Sequence, residues 1–307
     1  MRYLVFIACI ATARAHAGTL AQETSAVGLH VSGALLDRAP GVRSSGMGQA
    51  FVAVADDSTA VWWNPGGLAQ LRSVHVGLET ASEIKELSTR LFFLSTAFPI
   101  GPGVAGLNVT QLQLGSYEVR DENGRKLGDE ALDELTTCIG WGMPSPAWWP
   151  LKGSVGVAIE MARDGVKQTT MGLTVGMLAD ISRVRCGLAI RHIGIPSRGY
   201  APPLAISLGP SGYLIAGLRG ALDLSYGLVD RIFGVGAGLE WRPTRGLAVR
   251  GGYGRRGQPG GLVAVGGPTL GLGFRVGALG LDYAFQSFGD VVTAHKVALV
   301  YGRLPGS

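Results

Sequence analysis

The sequence predicts an all-β fold: a transmembrane antiparallel β-barrel of about 14 strands with a small N-terminal plug. Three observations predict it. Hydrophobic residues make up 47% of the 307-residue chain and charged residues only 16%, against about 25% charged in a typical soluble domain. No run of about 18 apolar residues accompanies that composition, so spanning helices are not expected. From about residue 74 onward the chain alternates with period two, the period of a strand. A membrane barrel needs this combination, because every lipid-facing residue on a strand is followed by a lumen-facing one.

Taken in order, residues 1–17 read as a secretory signal peptide. Met1-Arg2-Tyr3 carries positive charge, Leu4 to Ala13 is apolar, and Ala15-His16-Ala17 is a small-residue cleavage site, the three parts such a signal requires. Residues 18–72 are expected to form the plug, 73–303 the barrel and 304–307 a short tail.

The plug segment does not alternate. Gly46 and Gly48 flank Met47, and glycine allows backbone conformations and close approaches that other residues resist. Asp56 or Asp57 can cap a short helix running through Trp63. Asn64-Pro65 then ends it, since a residue before proline avoids the helical region. Val61, Trp62 and Leu68 are its expected packing residues.

Strands are expected at 74–80, 89–100, 103–114, 134–143, 154–163, 169–180, 184–193, 204–212, 217–227, 231–243, 247–255, 268–277, 279–288 and 295–303. Each is bulky on one face and small or charged on the other. Leu281, Tyr283 and Phe285 oppose Asp282 and Gln286, and Phe233, Val235, Ala237, Leu239 and Trp241 oppose Gly234, Gly236, Gly238 and Glu240. A β-sandwich would alternate too, with its small face in water. Here the small face is glycine rather than Lys, Thr and Glu, so it is crowded rather than solvated. Trp141, Trp148, Trp149, Trp241, Tyr253 and Tyr301 fall near strand ends, as interfacial girdles require. Short turns such as 181–183, 243–245 and 277–278 alternate with longer polar connections, of which Gly115 to Asp133 is the longest. Pro144 to Lys152 is long where a short turn is expected, and Leu228-Val229-Asp230 is short where a loop is expected.

Candidate chemistry is sparse. Net charge is +5, but no basic run or basic helix points to nucleic acid. Apart from His16, which leaves with the signal, the histidines are His30, His75, His192 and His295. None lies in a nucleophile elbow or an H-E-x-x-H arrangement, so no enzyme, cofactor or metal is expected. Asp56-Asp57 lacks a third metal ligand nearby. Outside the signal, Cys138 and Cys186 read as small apolar residues, with pairing left open. Glu240, Arg250, Arg275, Asp282 and Lys296 fall on the small-residue face of the late strands and are expected to point into the lumen. There they form an ion-pair network holding the plug, because unpaired buried charge is costly, or they bind a passing solute.

The run Arg43-Ser44-Ser45-Gly46-Met47-Gly48-Gln49-Ala50-Phe51-Val52-Ala53-Val54-Ala55-Asp56-Asp57, continuing to Trp63-Asn64-Pro65-Gly66-Gly67-Leu68, resembles the N-terminal signature of the PorV/PorQ family of FadL-like outer-membrane barrels. Gln49 and Gly66 stand where that signature usually has Gly and Ala. Toward the other end, Ala248 to Tyr253, Gly271 to Phe274 and Leu281 to Phe285 are similar to that family's last strands. The resemblance implies a bacterial outer-membrane location among outer-membrane lipids and an accessory role in type IX-like protein secretion or surface attachment, with secretion-system partners. The FadL alternative implies passive passage of long-chain hydrophobic small molecules, gated by the N-terminal segment.

Overall fold

The computed structural model describes residues 30–31, 36, 38–82, 90–120, 125–163, 169–195, 200–258, 264–287 and 293–304. The expected signal peptide and the last three residues lie outside these. Fourteen strands form a closed barrel. They are β1 His75–Ser82, β2 Arg90–Ile100, β3 Gly103–Arg120, β4 Lys126–Pro144, β5 Gly153–Arg163, β6 Thr169–Ile181 and β7 Val184–Ile193. After these come β8 Ala205–Ile215, β9 Leu218–Gly227, β10 Phe233–Thr244, β11 Leu247–Gly257, β12 Ala264–Val276, β13 Leu279–Ser287 and β14 Thr293–Tyr301. Each pairs antiparallel with its sequence neighbours, and β14 closes on β1 from His295 opposite Ser82 to Tyr301 opposite Val76.

All fourteen expected strands are present. The main difference lies between β3 and β4, where the polar stretch read as a loop instead continues the ladder, from Ser116 opposite Ala131 to Arg120 opposite Lys126. A register shift after Gln113 marks where this extension begins. Beyond the bilayer a hairpin needs no apolar face, so alternation stops being a guide to pairing while backbone hydrogen bonding goes on.

The two ends of the barrel differ. One end has two-residue turns at 101–102, 182–183, 216–217, 245–246 and 277–278, plus the eight-residue turn 145–152. At the other, connections run from five to eleven residues of sequence. Of the two expected exceptions, the long turn 145–152 is real, whereas the connection 228–232 is not unusually short: β10 begins only at Phe233, which leaves five residues, as in 121–125, 164–168 and 288–292 at the same end.

Along the strands, side chains alternate between a buried lumen and an apolar exterior. In β13 Gly280, Asp282, Ala284 and Gln286 are buried while Leu279, Leu281 and Tyr283 are exposed. Ile139, Ile159, Met171 and Leu270 are each about 60% exposed. An apolar surface continuing round every strand far exceeds the patches that water-soluble monomers tolerate; it is the band a barrel turns to lipid. Trp241 and Tyr301 lie at the short-turn end and Trp148 and Trp149 in the long turn below it. Tyr253, expected at a strand end, lies mid-strand in β11 opposite Ala237 and Pro268. It belongs to the apolar belt rather than to a girdle.

The plug fills the lumen. His30–Val31 pairs parallel with Tyr200–Ala201 in the β7–β8 connection, at the long-loop end. The chain then forms helix α1 (Val42–Gly46), helix α2 (Ala60–Trp63) and a 3-10 turn (Pro65–Gln70), and enters β1 from the short-turn end. Phe51, Val54, Val61, Trp62, Trp63 and Leu68 make its core. The glycine face of the wall is the seat for this segment. A Cβ at Gly156 would lie 2.3 Å from the Pro65 carbonyl carbon, and one at Gly238 2.2 Å from the Met47 oxygen. Plug backbone therefore lies directly against wall backbone, which only a side-chain-free strand face permits.

Candidate functional site

The candidate site is the plug–wall interface, and its centre is Arg43 on α1. The Arg43 guanidinium donates to Glu240 of β10 through Nε at 2.6 Å and Nη2 at 2.8 Å, and to Asp56 within the plug. Asp56 also pairs with Arg219 of β9 at 2.7 Å. Glu240 accepts further from Arg250 of β11 at 2.8 Å and lies 2.9 Å from Arg242. Arg250 in turn donates to Asp282 of β13 at 2.7 Å, which also holds Arg275 of β12 at 2.5 Å. Four of the five expected lumen charges thus join one chain of ion pairs spanning five adjacent strands, β9 to β13, and the plug. Lys296 lies with its ammonium 5.7 Å from the centre of the Phe93 ring.

Such a network is stable in a lumen because every charge in it has an opposite partner at hydrogen-bond distance. Burial alone would raise the Asp56 carboxyl, but the Arg43 and Arg219 guanidinia outweigh it and hold the group well below the usual carboxylate range. Burial would likewise lower Arg43, yet Asp56 and Glu240 keep it firmly protonated.

The expected plug residues each find a role. Neither Asp56 nor Asp57 caps α2 as expected: its N-cap is Thr59, with no side-chain cap, and Asp57 accepts from the Thr59 backbone N–H at 2.9 Å just ahead of the helix while Asp56 is held by Arg43 and Arg219. Asn64 ends α2 in extended conformation, and its side-chain amide donates to Val52 O at 2.8 Å and across to Met177 O of β6 at 3.0 Å. Pro65 begins the 3-10 turn rather than simply ending a helix. Trp63 donates from Nε1 to Pro40 O at 2.9 Å and meets Trp62 edge to face. Met47 is fully buried. The Gly46 carbonyl accepts from Thr269 Oγ1, and the Gly48 N–H donates to the same hydroxyl. Gly48 has φ +64° and its neighbour Gln49 φ 63°, a left-handed pair in which the second residue carries a side chain.

Several lumen groups were not singled out from sequence. Asp223 of β9 accepts from the Phe51 and Val52 backbone N–H groups at 2.6 and 2.7 Å, and Glu79 of β1 accepts from Gly41 N–H at 2.8 Å. On the far wall, buried Glu160 of β5 meets His192 Nδ1 of β7 at 2.6 Å and accepts from Thr174 Oγ1 of β6 at 2.8 Å. Arg191 stacks its guanidinium 4.4 Å from the Trp62 ring centre. Glu79, Glu160, Arg191 and Asp223 sit on small-residue faces, the one signal that could have found them, whereas His192, with φ 60°, breaks the alternation directly after Arg191. The plug partners of Asp223 and Glu79 are backbone groups, which a sequence does not display. Cys138 and Cys186 are free thiols, the first buried and the second half-buried. Among the described residues no group of three metal-ligating side chains converges.

Among the described residues a cavity of about 50 Å³ lies on the long-loop side of the plug, lined by Trp62, Trp63, Arg191, Asp223 and Gln286. A second of about 20 Å³ lies between α1 and β1.

No family model matches the chain, and no curated protein matches it. Solved structures do. The toluene transporter TodX of Pseudomonas putida superposes with TM-score 0.60 at 12% identity, over 85% of this chain and 96% of that one. A TodX deltaS2S3 mutant monoaromatic hydrocarbon channel gives 0.58 at 12% identity, over 85% and 97%. A FadL homologue of Pseudomonas aeruginosa gives 0.55 at 11% identity, over 86% and 98%. At these identities the likeness is one of fold: the chain has the fold of FadL-type outer-membrane barrels.

Proposed function

We propose that this chain is a bacterial outer-membrane barrel that lets small hydrophobic molecules cross, with displacement of the plug as the opening step. One observation carries the reading: a closed barrel filled by a plug that is fastened through side-chain ion pairs and hydrogen bonds, on a fold shared with hydrocarbon transporters. A plug packed only by apolar contacts would be part of the core. One held through polar contacts can be released and re-seated, because water replaces those contacts when it moves. No reacting group is needed for passive passage.

The test is uptake by whole cells lacking their own long-chain and aromatic transporters. Expression of this chain should raise uptake of labelled toluene or oleate several-fold over vector, with labelled sucrose unchanged. Equal uptake with and without the protein, despite its presence in the outer membrane, would remove the reading. The PorV/PorQ-like signature from Arg43 to Leu68 favours a second reading, a type IX-like secretion accessory. Its mark would be co-purification with secretion components from native membranes while hydrophobic uptake stays at the vector level.

A further inference from the structure

The lipid-facing wall around the closing seam carries an apolar groove of about 420 Å³. Leu94, Leu78, Leu299 and Leu281 form one level rung across β2, β1, β14 and β13, and all four line the groove. One outward rung nearer the long loops stand Phe92 and Thr80, also lining it. The next outward rung is polar: Arg90, Ser82 and His295 lie opposite one another on β2, β1 and β14. All three are exposed. His295 Nδ1 is 2.8 Å from the Tyr283 hydroxyl, and its ring meets Phe285 edge to face. The polar rung lies four residues along the strands from the leucines, roughly 13 Å at the strand rise.

We infer that this wall holds a phosphate-bearing lipid from the leaflet at the long-loop end, with an acyl chain in the groove and the phosphate on the Arg90 rung. The groove continues the apolar belt, so its occupant comes from the bilayer. Its head end presents donors: the Arg90 guanidinium, the Ser82 hydroxyl and the imidazole. When the Tyr283 hydroxyl donates to Nδ1, the ring proton lies on Nε2, which then also donates. Guanidinium matches phosphate in charge and in the geometry of its N–H groups. Among the described residues the nearest acid on this rung, Asp133, is two strands beyond Arg90 through Gln113, roughly 10 Å away at strand spacing. The inference rests on the membrane placement of the barrel and is independent of what crosses the lumen.

The test uses the full-length protein in mild detergent, observed by native mass spectrometry. It is titrated with phosphatidylglycerol and phosphatidylcholine of identical chains, with inorganic phosphate as a competitor. The expected result is roughly tenfold preference for phosphatidylglycerol, unmoved by millimolar phosphate. Arg90→Gln should abolish the preference while leaving chain binding, and Thr80→Phe, on the exposed wall, should reduce retention of both lipids by filling the groove. Equal retention of the two lipids by the native protein would overturn the inference. So would unchanged preference in Arg90→Gln, or full displacement by inorganic phosphate. Both substitutions face lipid, so folding is checked by heat-modifiable gel mobility. Hydrophobic uptake should stay at the native level in both variants, which keeps this result separate from the transport reading.

Discussion

Replacing Glu240 by alanine should loosen the plug more than any other single change in the ion-pair network. The carboxylate receives Arg43 Nε and Nη2 at 2.6 and 2.8 Å, Arg250 at 2.8 Å and Arg242 at 2.9 Å. Removing it leaves Arg43, Arg219, Arg242, Arg250 and Arg275 facing Asp56, Asp57 and Asp282, five positive groups against three negative ones where there were four. Orphaning one member of a buried pair costs about 3–5 kcal/mol. Arg43 and Arg250 each keep a second carboxylate, so the low end, about 3 kcal/mol, applies. At 1.4 kcal/mol per factor of ten, the open fraction of the plug should rise roughly a hundredfold. The assay is amide hydrogen exchange of the protein in lipid, comparing backbone N–H groups of residues 42–63 with those of the strands. Protection should fall by about two orders of magnitude in the plug and hardly at all in β1 to β7. Plug protection within twofold of native would refute the idea that this network fastens the plug.

Four further outcomes follow from the same geometry. Gly156→Ala places a Cβ 2.3 Å from Pro65 and should cost about 1–3 kcal/mol by overpacking, read as increased protease cleavage within residues 60–72. Gln49→Gly relieves a left-handed side-chain-bearing residue at φ 63°; it should stabilise plug docking by up to about 1 kcal/mol, seen as slower exchange near residue 49. Asn64→Ala removes amide donation to Val52 O and Met177 O, and should cost about 1–3 kcal/mol, with exchange rising in the 3-10 turn but not in α1. For pH, the Asp56 carboxyl is depressed in the folded state. Its stabilising contribution is therefore fully present above the unfolded value of about 3.9 and is lost as pH falls through the lower folded value. Plug protection should be unchanged by this group from pH 7 to pH 5 and fall only below about pH 4; in Asp56→Asn that low-pH loss should shrink.

The barrel was legible because lipid imposes a strict rule on every strand, bulky outward and small or charged inward. That rule placed β1 to β14 and put Glu240, Arg250, Arg275 and Asp282 in the lumen. It failed from Gly115 to Asp133, where the β3–β4 ladder runs past any bilayer and nothing enforces the pattern. The plug was legible as a compact segment, since Val61, Trp62 and Leu68 are apolar and Asn64-Pro65 punctuates the chain. Its fastening was not. Arg43 stands in the motif without any local sign that it meets Glu240, which is 197 residues away. Asp223 and Glu79 bind backbone N–H groups of Phe51, Val52 and Gly41, and a backbone donor has no sequence signature. The glycine face was read as crowding; what crowds it, plug backbone at van der Waals limits, required the three-dimensional arrangement.

The central claim is that a lipid-facing, plug-filled barrel is the folded form of this chain. Membrane fractionation followed by denaturing gel electrophoresis without boiling tests it most directly. The account predicts recovery with the outer membrane and a fast-migrating folded band that converts to a slower, unfolded one on boiling. Recovery of folded protein in the soluble periplasmic fraction, with mobility unaffected by heat, would contradict it.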